Sequence, residues 1–160
     1  MTHAYAVTGK RMASKPYHYT QCGLDDVYLM NGYRRQKTPY GSGVRIENVE
    51  KLHEAIAKWL CMNKAFLSDK EFRFLRKLMN LTQAEVAVFL GCDAQSIARW
   101  EKGQTEINGS ADKLVRILYL GSRSIKVDAA ELIKTVAELD TKVDERQIFE
   151  ETRTGWKAAA

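Results

Sequence analysis

Two short stretches in the middle of the chain place apolar residues at three- and four-residue intervals, the spacing of half-buried helices. The first stretch runs from Gln83 to Leu90, and the apolar side of its helix consists of Val86, Phe89 and Leu90. The second stretch follows almost at once and is anchored by Ile97 and Trp100. Because so few residues separate the stretches, they predict two helices joined by a tight turn.

The residues that flank these stretches are those that start and stop helices. Thr82 and Glu85 have the spacing of a capping box, in which each side chain accepts a hydrogen bond from the other residue's backbone. Gly91 supplies the positive φ that ends the first helix, and Asp93 is a suitable N-cap for the second. Ala87 stands where two crossing helices leave no room for a larger side chain. This pattern is typical of a helix-turn-helix.

Further helices are predicted on both sides of the pair. Ser68 and Glu71 form a second capping box, which predicts a helix from Asp69 to about Met79 that buries Phe72, Leu75 and Met79. A loop is expected from Gly103 to Gly109. It is followed by a helix from Ala111 to Leu120 with three residues directed inward, Leu114, Ile117 and Leu118.

The first 62 residues have a different pattern and contain six of the seven tyrosines, namely Tyr5, Tyr17, Tyr19, Tyr28, Tyr33 and Tyr40. The segments 17–20 and 27–30 flank Gly23-Leu24-Asp25-Asp26, which predicts a β-hairpin. Asn31-Gly32 and Pro39–Gly43 are further turn signals, and a short strand is expected at 44–46. The apolar spacing from Val49 to Leu60 predicts a helix. This segment is therefore interpreted as a small β-rich module closed by a helix.

Beyond Gly121-Ser122 the pattern changes again. Leu132, Val136, Leu139 and Val143 form a narrow apolar stripe, typical of a helix that packs on another helix. From about Arg153 the chain has little apolar content besides Trp156, so the end is expected to fray.

Charge adds modest support for a polyanionic partner. The formal net charge is +5, and the excess of basic residues lies in the first two thirds of the chain. A positive field attracts nucleic acid but does not by itself demonstrate binding. No apolar run approaches the roughly 18–20 residues of a membrane span, and the first residues lack the apolar core of a signal peptide. The expected location is the cytoplasm.

The segment from about Phe72 to Leu120 resembles the phage-repressor-like helix-turn-helix family, also called the XRE family. The matching residues are LRKLMNLTQAEVAVFLG, AQSIARWEKG and ADKLVRILYL. The resemblance implies a five-helix DNA-binding domain of bacterial and phage regulators. The expected fold is therefore mainly α, with a β-rich α+β module at 1–62, the five-helix domain at 63–122, and a C-terminal amphipathic helix and frayed tail at 123–160.

A helix in the major groove presents its first turn and one outward face to base edges. Gln can pair with adenine and Arg with guanine, each good pair discriminating by about 1–3 kcal/mol. Gln95 and Arg99 are four residues apart and share a helical face, so they are predicted to read bases. Ala94 and Ser96 flank that face, and Ala94 suits contact with a thymine methyl group.

Other residues are assigned to the DNA backbone or to structure. Lys102, and Lys113 or Arg116 on the last helix, are expected to contact phosphates, which position a protein without specifying sequence. The resemblance implies that Gln83 touches a phosphate while it supports the reading helix. It also implies that Arg76 and Glu101 form a partly buried structural ion pair.

Catalytic and metal sites are not indicated. The candidate ligands or nucleophile–base partners are His18, Cys22, His53 and Cys61, and their spacing brings no third metal ligand close in sequence. The three cysteines, which include Cys92, are too widely spaced for a zinc site or a disulfide framework. No phosphate-binding glycine loop or nucleophile elbow occurs. We expect no enzyme activity, no metal and no cofactor.

The leading hypothesis is a repressor that binds double-stranded DNA at a two-fold operator as a homodimer. A second hypothesis is an antitoxin-like protein that neutralises a partner protein, a toxin, through the N-terminal module and represses its own operon. Several such antitoxins use a zinc module, whereas this chain lacks the Cys-x-x-Cys pairs. Exposed tyrosines would suit a protein interface, while buried ones would form the module's own core. A small-molecule sensor role for this module also remains open.

Overall fold

The computed structural model describes residues 6–7, 10–11, 15–139 and 146–159. The chain forms two compact units, one comprising Met1–Ile56 with Asp144–Ala160 and the other Ala57–Val143. The boundary at Ile56 falls inside one helix, α1, which spans Val49–Asn63. The sequence pattern predicts three consecutive parts, whereas in the structure residues 144–160 belong to the same unit as the N-terminal module and residues 123–143 belong to the helical unit.

The first unit is built from β-strands and the start of α1. Its strands are β1 (Ala6–Val7), β2 (Lys10–Arg11), β3 (Tyr17–His18), β4 (Val27–Leu29), β5 (Tyr33–Thr38), β6 (Gly41–Ile46), β7 (Gln147–Thr152) and β8 (Gly155–Ala158). A four-stranded sheet has the order β3-β4-β7-β8, in which β4 and β7 are parallel and the other neighbours antiparallel. The pairs β1–β2 and β5–β6 are separate two-stranded ribbons.

The predicted N-terminal hairpin is present, because Tyr17 pairs with Leu29 and His18 with Tyr28. The expected strand at 44–46 is the end of β6. The expected frayed tail is wrong: β7 lies in the middle of the sheet and β8 completes it. Phe149 is fully buried, and the indole of Trp156 donates a hydrogen bond to the Glu47 carbonyl at 2.9 Å.

The tyrosines of the first unit mostly serve its own packing. Tyr19 is buried, and its hydroxyl lies 2.9 Å from Nε2 of His53. The rings of Tyr17 and Tyr33 are 4.8 Å apart, and Tyr28 stacks on His18. Tyr40 is the exception, since it is fully exposed, and Tyr5 lies outside the described residues. Most of these tyrosines therefore do not form an exposed surface for a partner protein.

The second unit contains the end of α1 and the helices α2 (Asp69–Leu78), α3 (Gln83–Leu90), α4 (Ala94–Glu101), α5 (Gly109–Ser122) and α6 (Ala129–Ala137). Both predicted capping boxes are present, at the starts of α2 and α3. Residues 63–122 contain four complete helices, α2 to α5, rather than the five that the resemblance implies.

Two predicted apolar faces need correction. In α5 the core side consists of Ala111, Val115, Tyr119 and Leu120, whereas Leu114 is 43% exposed. In α3, Phe89 is 59% exposed and Val86 and Ala87 are the buried residues. In both helices the true buried face is rotated from the predicted one, since a helix with apolar residues on more than one side offers two alternative stripes. In α6, Leu132 and Val136 are buried as the stripe predicted, and Val143 lies outside the described residues.

Candidate nucleic-acid interface

The turn between α3 and α4 is fixed by backbone geometry at both of its ends. Gly91 follows α3 with φ 69° and ψ 34°, the left-handed conformation that favours glycine. Two residues later the Asp93 carboxylate accepts a hydrogen bond from the Ser96 backbone N–H at 2.7 Å and caps α4. These local interactions, at Gly91 and Asp93, set the direction of α4 relative to α3 without help from long-range packing.

The inner face of α4 is held by apolar contacts. Ile97 is fully buried and Trp100 is 9% exposed. The Trp100 indole meets Phe72 of α2 edge to face, with ring centroids 5.8 Å apart at 78°. Trp100 is thus a core residue, as its position in the apolar pattern indicated.

An ion-pair network fixes the C-terminal end of α4. The Arg76 guanidinium donates to both carboxylate oxygens of Glu101, with Nη2 to Oε2 at 2.9 Å, and a third donor, Nη1, reaches the Leu81 carbonyl. The side-chain amide of Gln83 donates to the same Glu101 oxygen at 2.9 Å. The implied structural pair is therefore present, and the network joins α2, α3 and α4.

The charge state of Glu101 follows from this environment. Burial alone raises the pKa of the Glu101 carboxyl, but hydrogen bonds from Arg76 and Gln83 and the positive charges of Arg76 and Arg73 outweigh it. The net result is a lowered pKa. Glu101 is thus ionised at neutral pH, and its charge is compensated within the domain.

The outer face of α4 is open. Gln95 and Arg99 are exposed, and neither side chain makes a hydrogen bond or ion pair with the rest of the described chain. Ala94 and Ser96 are half-buried beside them. Hydrogen bonds from the Ser96 backbone and side chain, together with the Arg99 charge, lower the pKa of Asp93. The structure thus places all four predicted base-reading residues on the first two turns of one capped helix.

The predicted backbone contacts have different environments. Lys102 is exposed at the end of α4, and Lys113 is half-buried on α5. Gln83 is half-buried and already supports Glu101, so one amide N–H of its side chain is engaged.

Arg116 does not fit the predicted phosphate contact, because it is fully buried. Its Nε donates to Asp112 at 2.7 Å, and Nη1 donates to the Lys64 carbonyl at 2.5 Å, with further donation to backbone oxygens near the end of α1. Asp112 in turn accepts from the Leu67 backbone N–H. The sequence signal was the i, i+4 spacing of Asp112 and Arg116 on the same side of α5 as Val115 and Leu120.

The residues considered for metal binding or catalysis are used otherwise. His18 lies against the Asp25 carbonyl through Nε2, and His53 against the Tyr19 hydroxyl. Burial raises the pKa of the Cys61 thiol to about 12 and also raises that of Cys22; a nucleophilic cysteine needs the opposite shift. Within the described residues, no group of three or more His, Cys, Asp or Glu side chains is placed to hold a metal ion.

Comparison with known proteins identifies one segment. Residues 72–111 match the helix-turn-helix family, a match that covers about a quarter of the chain and extends from α2 to the start of α5. XRE-type helix-turn-helix domains of this family bind DNA in transcriptional regulators, and this segment is similar to them. No curated protein matches the chain, and no solved structure does. Over the part of the chain that the structure describes, no helix has both the length and the apolar content to cross a membrane.

Proposed function

We propose that this protein is a sequence-specific transcriptional repressor that binds a two-fold DNA operator as a homodimer, with α4 in the major groove. The observation that supports this proposal best is the contrast between the two faces of α4. Its inner face is held by Ile97, Trp100 and the Arg76–Glu101 pair, while Gln95 and Arg99 are exposed and make no side-chain hydrogen bond or ion pair with the residues that the structure describes. A rigid helix with unpaired Gln and Arg side chains has the chemistry that base recognition requires.

Each residue of the proposed site has a role. Gln95 donates and accepts at an adenine edge, and Arg99 donates to guanine O6 and N7. Ala94 contacts a thymine methyl group, and Ser96 flanks the same face. Lys102, Lys113 and the free amide atoms of Gln83 bind phosphates and fix the register. Arg116 is left out because its guanidinium is committed to the core.

The proposed dimer follows from the small size of the reading surface. One α4 presents about four residues to the groove, which supplies little discrimination by itself. Two copies with reading helices about 34 Å apart would engage successive major grooves. Linking the two half-sites raises affinity through effective concentration without any new contact.

The decisive experiment is selection of bound sequences from random duplex DNA with the purified full-length protein. We expect an enriched motif with two inverted half-sites whose centres lie about one helical turn apart. The Gln95→Ala/Arg99→Ala variant should lose about 2–6 kcal/mol of discrimination per half-site between this motif and a scrambled duplex, because two base-reading pairs are removed from each subunit.

A matched control is the Lys134→Ala/Thr135→Ala variant, whose two substituted residues are exposed on α6. It should keep the wild-type motif and affinity. Recovery of no motif from wild-type protein would contradict the proposed function. An unchanged motif in the Gln95/Arg99 variant would instead reject α4 as the reading helix.

A further inference from the structure

The ribbon formed by β5 and β6 is unlike the rest of the first unit in its charge. Residues 33–46 contain four basic residues, Arg34, Arg35, Lys37 and Arg45, and no acidic residue. All four are exposed. The ribbon therefore has a formal charge of +4 in 14 residues, in a chain whose total is +5.

The register of the ribbon sets like charges side by side. Arg34 pairs directly with Arg45 across the two strands, so both guanidinium groups share one face. Directly opposed like charges destabilise a strand pair. One carboxylate lies nearby, since Glu47 is 3.5 Å from Nε of Arg34. Because both side chains are well exposed, this ion pair offsets little of the repulsion between Arg34 and Arg45. Lys37 and Arg45 have no ion-pair partner among the described residues.

On the opposite face of the ribbon, the side chain of Arg35 is held in position by an aromatic ring. Arg35 lies with its guanidinium carbon 5.9 Å from the Tyr17 ring centre, and that ring packs on Tyr33 at the base of the ribbon. A cation over an aromatic face is held in position without losing its charge.

The glycines of the ribbon leave its backbone accessible. Gly41 has φ +124° and is required by the turn. Gly43 has no such conformation, and a Cβ placed there would meet nothing within 4 Å. Neither backbone strain nor packing requires glycine at position 43, and a glycine inside a strand is typical of sites where another molecule approaches the backbone closely. Tyr40 is fully exposed at the tip.

Protection of an open sheet edge does not explain this composition. Charged side chains do discourage edge-to-edge association, but mixed signs would serve that purpose and would avoid the Arg34–Arg45 repulsion. A uniformly positive ribbon is instead complementary to a polyanion. Six-residue strands are about 20 Å long, and the major groove of duplex DNA admits a two-stranded β-ribbon.

We propose that the β5–β6 ribbon is a second contact with duplex DNA, in which Arg34 and Arg45 from one face and Lys37 from the opposite face bind the phosphates on the two sides of the groove. This inference rests on the proposed function, because α4 brings the same chain to DNA. The ribbon adds sequence-independent affinity, while α4 supplies the discrimination.

The test compares two triple variants with the same loss of charge. Arg34→Gln/Lys37→Gln/Arg45→Gln lowers the formal charge of the ribbon from +4 to +1, and Lys58→Gln/Lys126→Gln/Lys134→Gln neutralises three exposed lysines elsewhere. Fluorescence anisotropy gives the affinity of each full-length protein for the selected operator and for an unrelated duplex, over a range of salt concentrations. Far-ultraviolet circular dichroism verifies that each variant is folded.

For the ribbon variant we expect affinity for both duplexes to fall about 10- to 100-fold near 0.1 M salt. The slope of log affinity against log salt should decrease in magnitude by about 2–3 for each subunit bound, since each lost phosphate contact removes about 0.9. The ratio of the two affinities should stay constant. Equal behaviour of the two triple variants would overturn the ribbon proposal while leaving the proposed function intact, whereas wild-type protein that binds neither duplex would refute the proposed function itself.

A second measurement needs no variant. The wild-type protein is acetylated on its lysines in the presence and in the absence of duplex DNA. Mass spectrometry then gives the rate of acetylation of Lys37 and of Lys58 under each condition. DNA should slow the modification of Lys37 several-fold and leave Lys58 unchanged. Equal rates at Lys37 with and without bound DNA would contradict a ribbon contact.

Discussion

Glu101 shows how one residue can connect three helices of the helix-turn-helix domain. It accepts hydrogen bonds from Arg76 of α2 and Gln83 of α3 while it forms the last turn of α4. The Glu101 side chain is 4% exposed and that of Arg76 is 11% exposed. Removing one partner of such a pair leaves the other charge buried and uncompensated, which is costly.

The Glu101→Gln variant tests this role. We expect the free energy of unfolding to fall by about 3 kcal/mol, at the lower end of the range for a broken buried pair because Arg76 keeps its bond to the Leu81 carbonyl. Urea denaturation followed by far-ultraviolet circular dichroism measures the change. The control is Glu54→Gln, which removes an exposed pair with Lys51 and should cost less than about 1 kcal/mol. Equal costs for the two variants would contradict a special role for Glu101.

The lowered pKa of Glu101 also predicts a pH dependence. In the unfolded chain a glutamate titrates near pH 4.3, and in the folded domain Glu101 titrates at a lower pH. Its contribution to stability is therefore complete above about pH 4.3 and is lost as the pH falls through the folded-state pKa. The difference in unfolding free energy between wild type and Glu101→Gln should shrink progressively in acid. A difference that stays constant from neutral pH down to pH 2 would disprove this assignment.

At the scale of elements, the turn between α3 and α4 depends on Gly91. Its φ of +69° costs a residue with a Cβ about 1–2 kcal/mol, although a Cβ at this position would meet nothing within 4 Å. Gly91→Ala should therefore lower the melting temperature through backbone strain alone.

Gly121 provides the matched control, since it lies in α5 with equally open space. Gly121→Ala should stabilise by up to about 1 kcal/mol, because alanine is the better helix former. Thermal unfolding of the two variants should shift in opposite directions. A shift in the same direction for both would show that the left-handed conformation at Gly91 is not what the turn requires.

The helix-turn-helix was predictable because its signals are local. Capping boxes, the glycine stop and the Asp93 cap all act within a few residues, and each is found where the sequence indicated it. The burial of Arg116 in α5 has only one local signal, its i, i+4 spacing from Asp112. Its other partners are backbone carbonyls near the end of α1, about 50 residues away in the sequence, and these leave no local pattern.

At the scale of the whole molecule, the sheet of the first unit joins segments from the two ends of the chain. β4 pairs with β7 in parallel, so that Val27 aligns with Gln147 and Leu29 with Phe149. The side chain of Asn31 donates to the Glu151 carbonyl and accepts from its N–H, adding two bonds between the same segments. Pairing between residues about 120 positions apart leaves no local pattern, which is why the tail was expected to fray.

Removal of the last two strands should consequently unfold the sheet. A chain ending at Leu139 lacks β7, which lies between β4 and β8, and it loses the buried Phe149 and Trp156. We expect residues 15–48 of this truncated chain to become rapidly cleaved in limited proteolysis, while the full-length protein resists. An Arg153→Ala variant, altered only in the exposed turn between β7 and β8, should resist like wild type. Persistent protection of residues 15–48 in the truncated chain would mean that β3 and β4 are stable without their parallel neighbour, contrary to the marginal stability of isolated two-stranded hairpins.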